Sequence, residues 1–172
     1  THVFTEAARR EPVTDVKTKQ LRSFIIPAQK RGILFDVGFG GGSFNFNQAI
    51  PSFKAGFLPN TISTDLHTGS MNAGMKNQVN VLSTLLAIGM DVPGVIARST
   101  WAPAQAIKRE ELGNLSVGAI ADVAILSTRA GTFGFRDSDG NRIEGKQRLE
   151  CEMTIKGGMI VYELNSIVAV NP

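Results

Sequence analysis

The chain has 172 residues, of which 42% are hydrophobic and 19% are charged, and its formal net charge at pH 7 is +3. This composition supplies enough apolar material for the core of a domain of this size. No run approaches the roughly 20 apolar residues that span a bilayer, which argues against a membrane protein. The single cysteine excludes an intrachain disulfide and cysteine-rich zinc sites, and these features together favour a cytoplasmic protein.

Nucleic-acid binding is the alternative that the positive net charge raises. Basic residues cluster between Arg9 and Arg31, but Glu6, Glu11 and Asp15 are mixed among them. The aromatic interleaving of a base-stacking surface is absent. We therefore expect no nucleic-acid partner.

The first predicted element is a helix with one solvated face. The helical spacing of Lys17, Leu21, Phe24 and Ile25 indicates it, and Gly32 ends it.

A strand, a loop and a second helix follow. Residues 33–37 form a buried apolar strand, and residues 38–42 form a glycine-rich loop at its end. The helix after it has Asn47 as its predicted N-cap, with Pro51 in or near the first turn, and it ends at residues 56–59.

The next strand, residues 60–64, ends in a carboxylate. Asp65 follows its β-branched residues and precedes a polar loop at residues 68–70. A barrel strand delivers a catalytic group to its C-terminal rim in this way, so Asp65 is the leading catalytic candidate. The alternative is that Asp65 only turns the chain.

Three helices and three strands complete the pattern. Helices are predicted over residues 77–89, 90–100 and 101–109, with Pro93 and Pro103 near the starts of the last two.

After Gly113 the spacing of apolar residues changes from the helical period of 3.6 to the strand period of 2. Strands are predicted over residues 122–126, 147–156 and 159–164, with Gly157-Gly158 as the hairpin turn between the last two. Residues 133–135 and 137–141 are predicted to form the loop between the first two strands.

Several stretches together resemble the C-terminal part of the amidohydrolase superfamily. They are residues 32–38 (GILFDVG), 41–44 (GGSF), 56–67 (GFLPNTISTDLH) and 112–124 (LGNLSVGAIADVA), with Phe133-Gly134-Phe135, Asp137 and Gln147-Arg148-Leu149 similar to its tail. Within the superfamily, the similarity is to the dihydroorotase-like deacetylases.

The resemblance implies an α/β fold: the C-terminal part of a (β/α)8 TIM barrel, strands 6 to 8, followed by strands of a small β-sandwich domain. Residues 1–4 would end strand 6, residues 33–37 would be strand 7 and residues 60–65 strand 8. The implied domains are residues 1–109 and 110–172.

The resemblance also implies a binuclear divalent metal centre, with zinc as the expected metal. His2 would be a metal ligand at the end of strand 6, and Asp65 would contact the metals and act as base. Without the family, His2 would be interpreted as a solvated terminal residue. The family's other ligands, a His-x-His pair, a bridging Lys or acid and a further His, have no counterpart in a chain with two histidines.

The chain is therefore interpreted as a fragment that is inactive alone and needs the N-terminal part of the same protein as its partner. The small β domain would be incomplete, swapped or paired with another chain, which leaves a homo-oligomer open. No membrane partner is expected.

The candidate substrate contacts follow the strand ends that would face the site. They are His67 and the backbone of Gly40 and Gly41, with Phe39 at a position where the family usually has His. Phenylalanine cannot donate a hydrogen bond, so Phe39 would alter the substrate contact or only pack beneath the glycine loop. The alternative for His67 is a loop histidine bonded to a neighbouring carbonyl.

The function implied by the resemblance is hydrolysis of amide or ester bonds in small N-acyl or cyclic amide substrates. A metal-bound hydroxide would attack the carbonyl, with Asp65 as base. Two alternatives stay open: a catalytically silent structural or binding subunit, and a deaminase of the same superfamily.

Overall fold

The structure is a computed structural model that describes residues 1–6, 10–71 and 74–166. Its helices are α1 (Ile25–Lys30), α2 (Phe46–Lys54), α3 (Gln78–Ala87), α4 (Val92–Ser99) and α5 (Trp101–Ala106). Its strands are β1 (Val123–Arg136), β2 (Arg142–Lys156) and β3 (Met159–Glu163). The α/β class is confirmed. In the part of the chain that is described, no helix is long and apolar enough to cross a membrane.

Two extended segments lie side by side in the first part of the chain, and the turn at residues 3–4 packs beside them. The predicted strand over residues 33–37 pairs in parallel with the segment around Thr61, through an isolated bridge at Asp36. The Val37 N–H donates to the Thr61 carbonyl at 3.1 Å, and on the other side the Val3 N–H donates to the Asp36 carbonyl at 3.2 Å. The parallel order of the two paired segments places their C-terminal ends, with the glycine-rich loop and Asp65 that follow them, on one side of the fold.

The prediction that a helix begins near Lys17 is wrong, because α1 begins only at Ile25. The Asp15 carboxylate accepts the N–H of Lys17 at 2.9 Å, and Thr14 and Leu21 form an isolated antiparallel bridge. An aspartate that bonds the backbone two residues on forms a turn, and here this local turn prevails over the helical spacing.

The second predicted helix is present, but its start differs. The N-cap of α2 is Asn45, whose side chain accepts the Asn47 N–H at 2.7 Å, so the prediction of Asn47 as the cap is wrong. Pro51 lies inside the helix instead of in its first turn. Because an interior proline removes a helical hydrogen bond, it weakens α2, which ends soon afterwards at Lys54.

The three later helices follow their predicted positions. The side chain of Asn77 caps α3 by accepting the Asn80 N–H at 2.8 Å. The side chain of Asp91 caps α4 by accepting the Gly94 N–H at 3.0 Å. Local capping chemistry therefore defines where both helices begin.

The strands form an antiparallel sheet in the order β1-β2-β3. The turn between β2 and β3 is Gly157-Gly158, as predicted, with φ of 55° and 82° that only glycine adopts readily. Residues 133–135 belong to β1, so their prediction as a loop is wrong. A register shift between Ala130 and Phe133 lets the pairing continue past the point where the alternation in the sequence breaks.

Phenylalanine rings dominate the core. Phe4, Phe39, Phe44 and Phe57 have no exposed surface, and the sheet adds Leu149 to the same cluster. The rings of Phe39 and Phe44 stack at a centroid distance of 4.2 Å with 8° between their planes. Together these contacts pack the sheet, the helices and the parallel segments around a shared core. The division into domains at residues 109 and 110 stays a prediction.

Candidate active site

His2 and Asp65 lie together beside the glycine-rich loop that follows residues 33–37. The His2 Nε2 is 3.8 Å from the Asp65 Oδ2, and the exposed fractions of the two side chains are 16% and 42%. We call these two residues the site pair. They are 63 positions apart in the chain, and the backbone contacts of Asp36 with Val3 on one side and with the Thr61 segment on the other bring them together. Their metal-binding and catalytic roles stay predictions.

A backbone carbonyl selects the tautomer of the neutral His2 ring. The His2 Nδ1 is 2.8 Å from the Gly38 carbonyl oxygen. Since a carbonyl can only accept, Nδ1 carries the proton, and in the neutral imidazole Nε2 keeps its lone pair. Metal-bound histidines commonly donate their other ring N–H to a carbonyl in this way. The lone pair on Nε2 lies on the side of the ring nearest Asp65.

Two glycines let the site pair lie against the glycine-rich loop. A Cβ at Gly40 would be 2.6 Å from the Asp65 Oδ2, and a Cβ at Gly38 would be 2.7 Å from the His2 Nδ1. Both glycines have φ in the left-handed region, 50° at Gly38 and 53° at Gly40. The loop therefore needs glycine for its backbone and for the space that the site pair occupies.

The site pair itself has a strained backbone. His2 has φ of 62° and Asp65 has φ of 51°, a region that side-chain-bearing residues seldom adopt. Such conformations persist where the surrounding structure enforces them, and they cluster at active sites. Lys19, Lys108 and Ser166 have similar φ values away from the site, so the argument for a functional role rests on the contacts of the site pair.

Asp36 is a residue of the site region that the sequence analysis missed. Its carboxylate accepts the hydroxyl of Thr1 at 2.6 Å, of Thr61 at 2.7 Å and of Ser63 at 2.6 Å. These donors belong to the segments on either side of Asp36, so one carboxylate links all three. The signal was present in the sequence: a single acid within an apolar strand, and hydroxyls at alternate positions that share one face of the next strand.

Replacing Asp36 with asparagine is expected to lower the free energy of unfolding by about 1–3 kcal/mol, because a hydroxyl would lose a charged acceptor. Chemical denaturation of both forms measures the difference. Glu144→Gln, at an exposed position of β2, is the control for removing a negative charge. Equal stabilities of the Asp36 and Glu144 variants would contradict the linking role.

His67 lies in the exposed loop after Asp65. The ring Nδ1 of His67 accepts the Gly69 N–H at 3.1 Å, and the backbone N–H of His67 donates to the Ser70 hydroxyl at 2.9 Å. The ring therefore bonds an N–H group and not the carbonyl considered as the alternative. In the neutral ring this leaves the proton on Nε2 as a donor. A substrate contact at His67 stays a prediction.

The other predicted substrate contacts lie in the glycine-rich loop, and their role stays a prediction. The Gly40 N–H donates to the Thr64 carbonyl at 2.7 Å, so this amide is already used within the fold. The ring of Phe39 is fully buried against Phe44. This agrees with the alternative that Phe39 only packs beneath the glycine loop. Gly41 lies close to the Ser70 backbone, where a Cβ would be 3.2 Å from the Ser70 Cα. The glycine loop thus packs closely against the chain around the site pair, and a substrate contact at Gly40 or Gly41 stays a prediction.

The described residues contain part of a metal site at most. Among them, no group of three or more His, Cys, Asp or Glu side chains is placed to hold a metal ion. The donor atoms that lie together are the His2 Nε2 and the Asp65 Oδ2. An imidazole nitrogen and a carboxylate oxygen are both ordinary zinc ligands, so the chemistry of this pair fits the metal that the resemblance implies.

Comparison with known proteins supports the resemblance. No family model matches the chain. A deacetylase of Enterococcus faecalis is 30% identical over 161 residues, which are 93% of this chain and 43% of the relative. A deacetylase of Brucella anthropi is 39% identical over 110 residues, 64% of this chain and 27% of the relative. A deacetylase of Agrobacterium fabrum is 33% identical over 126 residues, 73% of this chain and 31% of the relative.

Solved structures give the same result. An adenine deaminase matches with a TM-score of 0.88 at 29% identity, over 95% of this chain and 44% of its own. A dihydroorotase matches with a TM-score of 0.72 at 30% identity, over 81% of this chain and 39% of its own. The fold and its relatives thus define a class of α/β enzymes named as deacetylases, deaminases and dihydroorotases. The chain belongs to the amidohydrolase superfamily, and it spans less than half the length of these relatives.

Proposed function

We propose that this chain is part of a metal-dependent hydrolase of carbon–nitrogen bonds that removes acyl groups from small amides. The observation that carries the proposal is the site pair, with the Nε2 lone pair of His2 3.8 Å from the Asp65 carboxylate. The deacetylase names of the curated relatives support the choice of reaction.

The finer fold belongs to the same proposal. Residues 1–4, 33–37 and 60–65 would contribute to strands 6 to 8 of a (β/α)8 barrel, and β1 to β3 would belong to a small β-sandwich. The rest of the barrel would come from the N-terminal part of the same protein. The parallel order of the segments and the glycine loop at their ends support this arrangement, because barrel enzymes build their sites at that rim.

In this proposal His2 and Asp65 hold the metal with ligands from outside the described residues. A bound zinc would polarise the substrate carbonyl and make a water molecule more acidic. The Asp65 carboxylate accepts the proton of that water and delivers it to the leaving nitrogen. Its 42% exposure leaves room for both partners. The Gly38 carbonyl keeps the His2 ring in the required tautomer, and His67 offers an N–H to the substrate.

A deaminase is the second candidate. The TM-score of 0.88 with an adenine deaminase favours it. The same carboxylate would then protonate a leaving ammonia in place of a leaving amine. The site pair serves either reaction. The two candidates differ in their products, which are acetate for the deacetylase and ammonia for the deaminase.

The experiment uses the complete protein that contains this chain, incubated with a panel of small N-acetyl amines and with adenine. We expect acetate release that a chelator abolishes and added zinc restores, while the 172-residue chain alone stays inactive. Release of ammonia without release of acetate would refute the deacetylase proposal and favour the deaminase. No turnover across the panel at full metal occupancy would favour a catalytically silent subunit.

A further inference from the structure

The turn between β1 and β2, residues 137–141, reaches back to the start of α2. The Phe44 N–H donates to the Ser138 hydroxyl at 3.1 Å, and the Ser138 N–H donates to the Phe44 carbonyl at 2.9 Å. The Asn45 side-chain amide donates to the Asp139 carboxylate at 2.6 Å. These contacts join positions 94 residues apart in the chain. We call residues 137–141 the β1–β2 turn.

Asp137 is the centre of these contacts, and its side chain is only 1% exposed. Its Oδ2 accepts the N–H of Phe46, the first residue of α2, at 3.0 Å. Its Oδ1 accepts the N–H of Asp139 at 3.0 Å and of Asn141 at 2.9 Å. The same carboxylate therefore shapes its own turn and anchors α2. A buried charge used in this way is costly to disturb.

The anchored segment leads directly to the site. Phe44 stacks on Phe39 at 4.2 Å, and Phe39 lies between Gly38 and Gly40 in the glycine-rich loop. Those two glycines are the ones whose missing side chains make room for the site pair. A movement of Phe44 would therefore shift the loop against which the site pair lies.

A second contact reaches the other side of the site. A Cβ at Gly74 would be 2.5 Å from the Arg136 carbonyl oxygen and 2.6 Å from that of Asp137. Gly74 lies nine positions after Asp65 in the chain. The β1–β2 turn thus packs against the chain both before and after the site.

We propose that the β1–β2 turn is a positioning element of the site and that Asp137 is its positioning residue. Asp137 holds the start of α2, Phe44 transmits that position through its stack on Phe39, and the glycine loop sets the separation of the site pair. The catalytic consequence rests on the proposed function, whereas the effect on the loop does not.

The test compares Asp137→Asn with Met153→Ala in the complete protein. The asparagine keeps the size of the side chain but replaces one accepting oxygen with a donor, so the Phe46 N–H or its neighbours lose their acceptor. Met153 is 7% exposed on β2, beyond the turn, so its truncation destabilises the same sheet without touching the anchor. At a temperature where both variants are folded, we expect Asp137→Asn to lower kcat about tenfold or more with metal content unchanged. Met153→Ala is expected to keep kcat within about twofold, because it leaves the site geometry intact.

Hydrogen exchange gives a readout that does not depend on activity. The amides of Phe39 and Gly40 donate to the carbonyls of Ser63 and Thr64. We expect their exchange to be about tenfold faster in Asp137→Asn and unchanged in Met153→Ala. Equal exchange in the two variants would overturn the positioning role, whatever the reaction proves to be.

The exchange experiment also separates the two proposals. Faster exchange in a protein without hydrolase activity would leave the positioning role intact and refute the proposed function. If Asp137→Asn fails to fold, Ser138→Ala takes its place, since it removes only the hydroxyl that accepts the Phe44 N–H. The same exchange and kcat criteria then apply to that variant.

Discussion

Replacing Asp65 with asparagine is expected to lower kcat of the complete protein by about 10²- to 10⁴-fold, the usual contribution of a general acid–base group. Asparagine has nearly the same shape, but it cannot accept the proton of the attacking water or deliver it to the leaving group. Because the Asp65 side chain is 42% exposed, the change is expected to leave the protein folded. Steady-state kinetics and thermal unfolding of the same samples measure both effects.

The control is Asp91→Asn, the same chemical change at a remote position. Asp91 caps α4, and asparagine caps a helix about equally well. Metal content is measured in both variants, because Asp65 is also a candidate ligand. An inactive Asp65→Asn protein with full metal occupancy identifies the base role. Activity that returns on adding zinc identifies the ligand role, and kcat close to that of the Asp91 variant would refute both.

Local chemistry explains which elements were predictable. α3 was predicted from its apolar spacing and α4 as a helical segment with Pro93 near its start, and the capping residues Asn77 and Asp91 define where the two helices begin. The hairpin turn was predicted because Gly157-Gly158 fits a backbone with positive φ at both positions. Each of these signals lies within a few residues of the structure that it determines, so a single sequence suffices to detect it.

Competition between local signals explains the errors. The spacing from Lys17 to Ile25 predicts a helix, but the Asp15 side chain forms a turn with the same backbone. Glycines at Gly131 and Gly134 interrupt the alternation in β1, yet the strand continues because β2 pairs with it across a register shift. In both places the outcome depends on a partner that the apolar pattern does not reveal.

The site was predictable in part, and for a different reason. The family resemblance, and not the local pattern, indicated that His2 and Asp65 belong together. Asp36 and Asp137 were missed as structural centres because their partners are remote in sequence: Asp36 bonds hydroxyls 25 or more residues away, and Asp137 bonds an amide 91 residues away. The residue types of the Asp36 contacts are visible in the sequence, but the remote partner of each carboxylate is determined only when the chain folds.

Replacing Gly40 with alanine is expected to damage the site through both the backbone conformation of Gly40 and the space beside it. The left-handed φ of 53° costs a side-chain-bearing residue about 1–2 kcal/mol, which should appear as a loss of unfolding free energy. The new Cβ would also be 2.6 Å from the Asp65 Oδ2, a distance that forces the carboxylate to move. A displacement of about 1 Å at a reacting group can lower kcat about 10²-fold.

Two other glycines separate these effects. Gly56 has φ of +80°, and no described atom lies within 4 Å of the Cβ that alanine would add, so Gly56→Ala carries the backbone strain alone. Gly134 has equally open space and no positive φ, so Gly134→Ala carries neither effect. We expect Gly40→Ala and Gly56→Ala to lose similar stability, with kcat lowered only in the first. If Gly56→Ala lowered kcat as strongly, the loss would come from general destabilisation. The close approach of Gly40 would then have no bearing on where Asp65 places its carboxylate.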